Sequence, residues 1–188
     1  MVSAEHLSYQ ARCERMTIVI VGTNRKDANS RTIAAYYQRL LEEEGEPSQI
    51  LDLIHLPPDF LATALYENNG QNEEFNAFRQ VLEENERFVF IVPEYNGSFP
   101  GVLKAFIDGL EYPSNLAGKK AALVGVAAGM YGGALAISHL TDVLHYLGMQ
   151  VLPTKPTLAF IHSHLSNEEI THSAYRQMLV QQVDTLIA

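Results

Sequence analysis

Three loops in this 188-residue chain concentrate groups that could hold a ligand. The first reads Gly22-Thr23-Asn24-Arg25-Lys26-Asp27-Ala28-Asn29-Ser30-Arg31-Thr32 and leads into a helical pattern. An acidic chain, with 13 Lys plus Arg against 22 Asp plus Glu, places three of its basic residues there within seven positions. Free amides and the dipole at a helix start favour an anion, and an arginine fork chelates two of its oxygens, so the segment suits a phosphate. The plainer alternative is that Asn29 or Ser30 caps the helix and the bases are solvated. The second loop, running from Pro93 through Glu94, Tyr95, Asn96, Gly97 and Ser98 to Lys104, follows an apolar run and offers backbone amides to something flat and polar at its rim. The third, Ala127-Ala128-Gly129-Met130-Tyr131-Gly132-Gly133, lets backbone approach a planar ring that Tyr131 could stack on or edge, although a tight turn also needs glycine. Together they describe a pocket for a mononucleotide with a broad flat ring.

Other chemistries fail on missing residues. Gly-x-Gly-x-x-Gly and Gly-x-x-x-x-Gly-Lys-Ser/Thr are both absent after Gly22, which argues against a dinucleotide fold or a nucleotide hydrolase. A receiver domain would need acids at the end of the first strand, where Gly22 and Thr23 stand. No Ser-His-Asp or Cys-His constellation supplies a catalytic nucleophile, so no catalytic side chain is assigned. His162, His164 and His172 crowd one region, but without a third ligand at helical spacing they read as solvent-facing loop residues, and no metal is expected. The formal charge of -9 removes the electrostatic drive for nucleic acid.

Apolar strands alternating with amphipathic helices must position these loops. Residues 17–21 are a β-branched run buried on both faces, followed by a helix carrying Ile33, Tyr36, Tyr37, Leu40 and Leu41 and ended by Gly45. Strands are expected at 49–53, 88–92, 121–126 and 150–152, with helical faces marked by Phe75 and Leu82, by Leu103, Phe106, Ile107 and Leu110, and by Leu140 and Leu144. A last helix is read from a capping box, Ser166 with Glu169, through Tyr175, Leu179 and Val183. Right-handed crossovers give a five-stranded parallel sheet covered on both faces, with the common order 2-1-3-4-5. The switch point then lies between strands one and three, beside the first two loops. Residues 1–15 read as a flexible N-terminal arm holding the lone Cys13, with Met16 a second candidate start, and 16–188 as one domain. A single cysteine and the lack of a signal-like or long apolar run point to a cytoplasmic protein away from membranes.

Gly22-Thr23-Asn24-Arg25, then Pro93-Glu94-Tyr95-Asn96-Gly97-Ser98 with Pro100-Gly101-Val102-Leu103-Lys104 and Asp108, then Gly129 with Gly132-Gly133, resemble the NADPH-dependent FMN reductases. The resemblance implies an α/β, flavodoxin-like three-layer sandwich that binds FMN and takes electrons from NAD(P)H by a ping-pong cycle. It places the FMN phosphate on Thr23, Arg25, Asn29, Ser30 and Arg31. The isoalloxazine falls against Pro93, Glu94, Tyr95, Asn96, Gly97 and Ser98, closed opposite by Gly129, Met130, Tyr131 and Gly132. Ala28, Ala105 and Gly109 depart from the serine, asparagine and tryptophan frequent there. The family also implies a homodimer near the helix after the second loop, or a tetramer of two dimers. The second acceptor stays open among quinone, azo dye and chromate. An electron carrier or interaction module that binds FMN without NAD(P)H turnover is the alternative of another class.

Overall fold

β1, Thr17–Val21, has every residue buried, as a β-branched run at the middle of a sheet requires. The computed structural model describes residues 15–188. The expected arm over 1–15, with Cys13, lies outside the described residues except for Arg15, which pairs with Glu86 at 3.0 Å. After β1 come α1 (Asn29–Glu43), β2 (Ser48–Asp52), the one-turn α2 (Phe60–Thr63), α3 (Glu73–Glu84), β3 (Arg87–Pro93), α4 (Gly101–Asp108) and β4 (Lys120–Val126). Then follow α5 (Ala134–Tyr146), β5 (Gln150–Val151), β6 (Thr157–Leu158), the pair β7 (Leu165–Ser166) and β8 (Glu169–Ile170), and α6 (Ser173–Ile187). The main sheet is parallel with order β2-β1-β3-β4-β5, the order expected from the sequence.

Alternate strand residues serve two cores. Ile18, Ile20, Phe88, Phe90 and Leu123 face α3, α4 and α5 through Phe75, Phe106 and Leu140. Val19, Val21, Val89, Ile91 and Val124 face α1 and α6 through Ile33, Tyr37, Leu179 and Val183. Helices therefore cover both faces, and the carboxyl ends of β1, β3 and β4 are left to loops.

Two sequence expectations are corrected. The edge position beside β4 is shared, with β5 pairing to Lys120 and Ala121 and β6 to Gly125 and Val126, because the chain turns away between them. Gln182 holds that detour: fully buried on α6, its Nε2 donates to Leu123 O at 3.0 Å and Thr154 O at 2.7 Å, and its Oε1 accepts from Tyr37 Oη at 3.1 Å. The capping box is absent: Ser166 and Glu169 face each other across the β7–β8 hairpin, and α6 starts only at Ser173. Asn167 and Glu168 have φ of 49° and 65°, which suits a tight hairpin turn and excludes a helix start.

Candidate functional site

A cleft of about 220 Å³ opens at the carboxyl ends of β1 and β3, lined by Arg25, Asp27, Ala28, Asn29 and Ser30, by Pro93, Glu94 and Tyr95, and by Val126, Ala127, Ala128 and Ile161. This is the switch point where open α/β sheets bind ligands. A hollow of about 390 Å³ lies at the opposite strand ends, but its Arg15 and Arg87 are already paired with Glu86 and Glu46.

The first loop leads into α1 with Ala28 in the cap position and no side-chain cap. Asn29 and Ser30 are therefore the first helical residues, which overturns the capping alternative and leaves their amides at the cleft edge without a side chain to satisfy them. Arg25 is exposed beside them. Two of the expected phosphate ligands are committed elsewhere. Fully buried Thr23 places Oγ1 2.8 Å from Tyr95 Oη in a hydrogen bond and accepts from the Arg25 amide at 3.1 Å. Arg31 pairs with Asp52 through two bonds of 2.5 and 3.1 Å and donates a further one to the Arg25 carbonyl, so it braces the loop from behind.

The second loop leaves β3 at Pro93, its Glu94 amide donating to Val126 O at 3.2 Å. Tyr95 and Ser98 then exchange backbone hydrogen bonds of 2.8 and 3.1 Å around Asn96 and Gly97, whose φ values are 51° and 75°. Asn-Gly is the preferred pair for this type I′ turn, so the tip is rigid by backbone geometry alone. Glu94 Oε2 is buried with no hydrogen-bond partner among the described residues, which leaves an acceptor in the cleft wall for a ligand N–H. Ser98 Oγ lies 2.9 Å from His139 Nδ1 on α5.

In the third loop Ala127 and Ala128 line the cleft, while Gly129, Met130 and Tyr131 stand exposed farther out. Buried Gly132, at φ of 59°, is required by the protein itself, since a Cβ there would sit 2.7 Å from Thr157 C. At Gly129 a Cβ would meet nothing within 4 Å. Residues 158–161 brace this loop: Ala127 donates to Leu158 O at 3.1 Å, Phe160 to Gly129 O at 3.3 Å and Ile161 to Ala127 O at 3.2 Å.

Of the residues named from sequence, the structure gathers Arg25, Asn29, Ser30, Pro93, Glu94 and Tyr95 around one cleft. Asn96, Gly97 and Ser98 form the adjoining tip, and Thr23 and Arg31 support it from below. Sequence reasoning missed Ile161 and His139. Ile161 follows two-residue strands without periodicity, and His139 reaches Ser98 across 41 residues from an exposed helix face. The three C-terminal histidines divide: His162 is exposed, whereas His164 and His172 are half-buried and pack with Tyr175, His172 stacking on it at 4.2 Å between ring centres. Among the described residues no three His, Cys, Asp or Glu side chains converge as a metal site.

A family model described as NADPH-dependent FMN reductase matches residues 16–163. The chain is a member of this family. It is 32% identical over 147 residues to a 2-hydroxy-1,4-benzoquinone reductase of Burkholderia sp, covering 77% of each chain. A quinone reductase of Pseudomonas putida is 32% identical over 134 residues, 70% of each. The solved structure of FerB, a flavoenzyme NAD(P)H:(acceptor) oxidoreductase from Paracoccus denitrificans, superposes with a TM-score of 0.70 at 25% identity, over 92% of this chain and 95% of that one. As an FMN reductase family member the protein is an FMN-dependent NAD(P)H oxidoreductase. The cleft chemistry fits that cofactor: uncapped amides and Arg25 suit a phosphate, and small residues with the unpartnered Glu94 oxygen suit a heteroaromatic ring.

Proposed function

We propose that the three-loop cleft seats FMN with its phosphate at Arg25, Asn29 and Ser30 and its ring against residues 93–98, beside Gly129, Met130 and Tyr131, and that the physiological acceptor is a small quinone. The observation that carries the seat is the convergence of an uncapped α1 with the second and third loops at the sheet switch point. Bound FMN supplies the centre that accepts a hydride from NAD(P)H and passes reducing equivalents on. The chain's own part is to bind and orient. Free amides at the Asn96-Gly97 turn favour negative charge beside them, and the Glu94 carboxylate accepts an N–H. Donor and acceptor use one open side in turn, which gives ping-pong kinetics. The quinone reading is favoured by the names of the Burkholderia and Pseudomonas relatives.

Anaerobic stopped-flow on FMN-loaded protein tests this. NADPH should bleach the visible flavin band and a benzoquinone should restore it in a second step without NADPH present. A flavin that NADPH bleaches but no quinone reoxidises faster than azo dye or chromate contradicts the acceptor.

The same reading takes the chain as one domain over 16–188 acting in the cytoplasm, where a lone cysteine is unremarkable. It also takes the active form as a homodimer. Leu103 and Phe106 of the α4 region have no exposed surface, so they do not supply the contact. A groove of about 460 Å³ between α4 and α5 does, with Tyr112 and Tyr146 exposed along its apolar wall.

A further inference from the structure

Thr23 and Tyr95 stand on different loops, one expected at the phosphate and the other at the ring, yet their hydroxyls meet. Thr23 has no exposed surface, and its Oγ1 takes part in two hydrogen bonds: one with Tyr95 Oη at 2.8 Å and one from the Arg25 amide at 3.1 Å. The second closes a local turn, because an oxygen that accepts the amide two residues on fixes the intervening backbone. That backbone presents the Arg25 side chain to the cleft. The Thr23 rotamer is the pivot of this turn, and the Tyr95 hydroxyl is the side-chain group seen to hold it. The Arg25 carbonyl is fixed separately, by Arg31 and through it Asp52.

We infer that Tyr95 is a positioning residue for phosphate recognition: although it stands on the ring loop, its hydroxyl sets the Thr23 turn that presents Arg25. This rests on the reading of residues 22–31 as the phosphate seat. The consequence is a selectivity effect at a distance. FMN and riboflavin share the ring and the ribityl chain and differ by the phosphate alone. Removing the Tyr95 hydroxyl should therefore weaken FMN while leaving riboflavin in place. A merely structural loss, or a role in holding the ring, would weaken both.

Fluorescence-quenching titrations with FMN and with riboflavin test it on the full chain and on Tyr95→Phe, Thr23→Val, their combination, and Thr23→Ser. Tyr95→Phe should weaken FMN about tenfold, one buried hydrogen bond's worth, Thr23→Val at least as much because it also removes the acceptor for the Arg25 amide, and both should change riboflavin by less than about twofold. The combination should be no worse than Thr23→Val alone, because that variant already removes the bond that Tyr95→Phe removes. Thr23→Ser keeps the hydroxyl and should restore FMN binding to within about twofold. Equal weakening of both flavins by Tyr95→Phe, or additive losses in the combination, overturns the inference while leaving the phosphate seat intact. Equal affinity of the unmodified protein for FMN and riboflavin overturns the seat and the inference with it.

Discussion

At the scale of single residues, one buried hydroxyl ties α1 to α6. Tyr37 has no exposed surface, and its phenol donates to Gln182 Oε1 at 3.1 Å, so burial pushes its ionisation well above the ordinary value. The folded chain then keeps this proton where the unfolded chain releases it. Its contribution to stability is complete below about pH 10 and is lost as pH rises beyond that. Urea unfolding followed against pH should show stability falling above about pH 10, with a shallower fall in Tyr37→Phe. The fall does not vanish in that variant, because Tyr36 is also raised, first by burial and then by Glu169. At neutral pH the same variant should lose about 1–3 kcal/mol, since Gln182 Oε1 is left buried without its donor. Lys119 shows the opposite sign. Burial lowers its pKa, and its ammonium donates to Leu82 O at 2.7 Å and Glu83 O at 3.0 Å at the end of α3.

Among the elements, those with long periodic patterns were legible in the sequence and those without were not. β1, β3 and β4 announce themselves as unbroken apolar runs, and their crossover helices carry the 3.6-residue stripe. β5 and β6 are two residues each, too short for any period, and their sharing of one edge is set by tertiary bonds from Gln182. The Ser166 to Glu169 pattern matched a helix cap and became a hairpin turn, because a spacing of three positions serves both. Gly109, where the family commonly carries tryptophan, has a physical reason: a Cβ there would lie 2.4 Å from the Phe75 ring. The glycines of the third loop separate in the same way. Gly132→Ala adds a side chain at φ of 59° against backbone of residue 157, and thermal melts should show a loss of roughly 2–4 kcal/mol. Gly129→Ala meets no neighbour and should stay within about 0.5 kcal/mol of the unmodified protein while weakening FMN retention.

For the whole molecule, the candidate site was legible as three loops but not as a geometry. The residues that could touch a ligand were visible as Arg25, Asn29, Ser30 and the 93–98 segment. The supporting roles of Thr23 and Arg31 were not, since the first depends on a contact 72 residues away and the second on Asp52 of the neighbouring strand. The proposed dimer belongs to this scale too. Light scattering behind size-exclusion chromatography should give a dimer, and Tyr146→Glu in the α4–α5 groove should give a folded monomer with weakened turnover. A dimer unaffected by that substitution places the interface on another face.

Where FMN sits is read from a crystal structure of the FMN complex. The phosphate should lie within hydrogen-bonding distance of the Asn29 and Ser30 amides and Arg25, with the ring edge on the 94–98 backbone and Thr23 still bonded to Tyr95. A phosphate held by Arg31 in place of Asp52, or a flavin lodged in the α4–α5 groove, would rule out this seat for the cofactor.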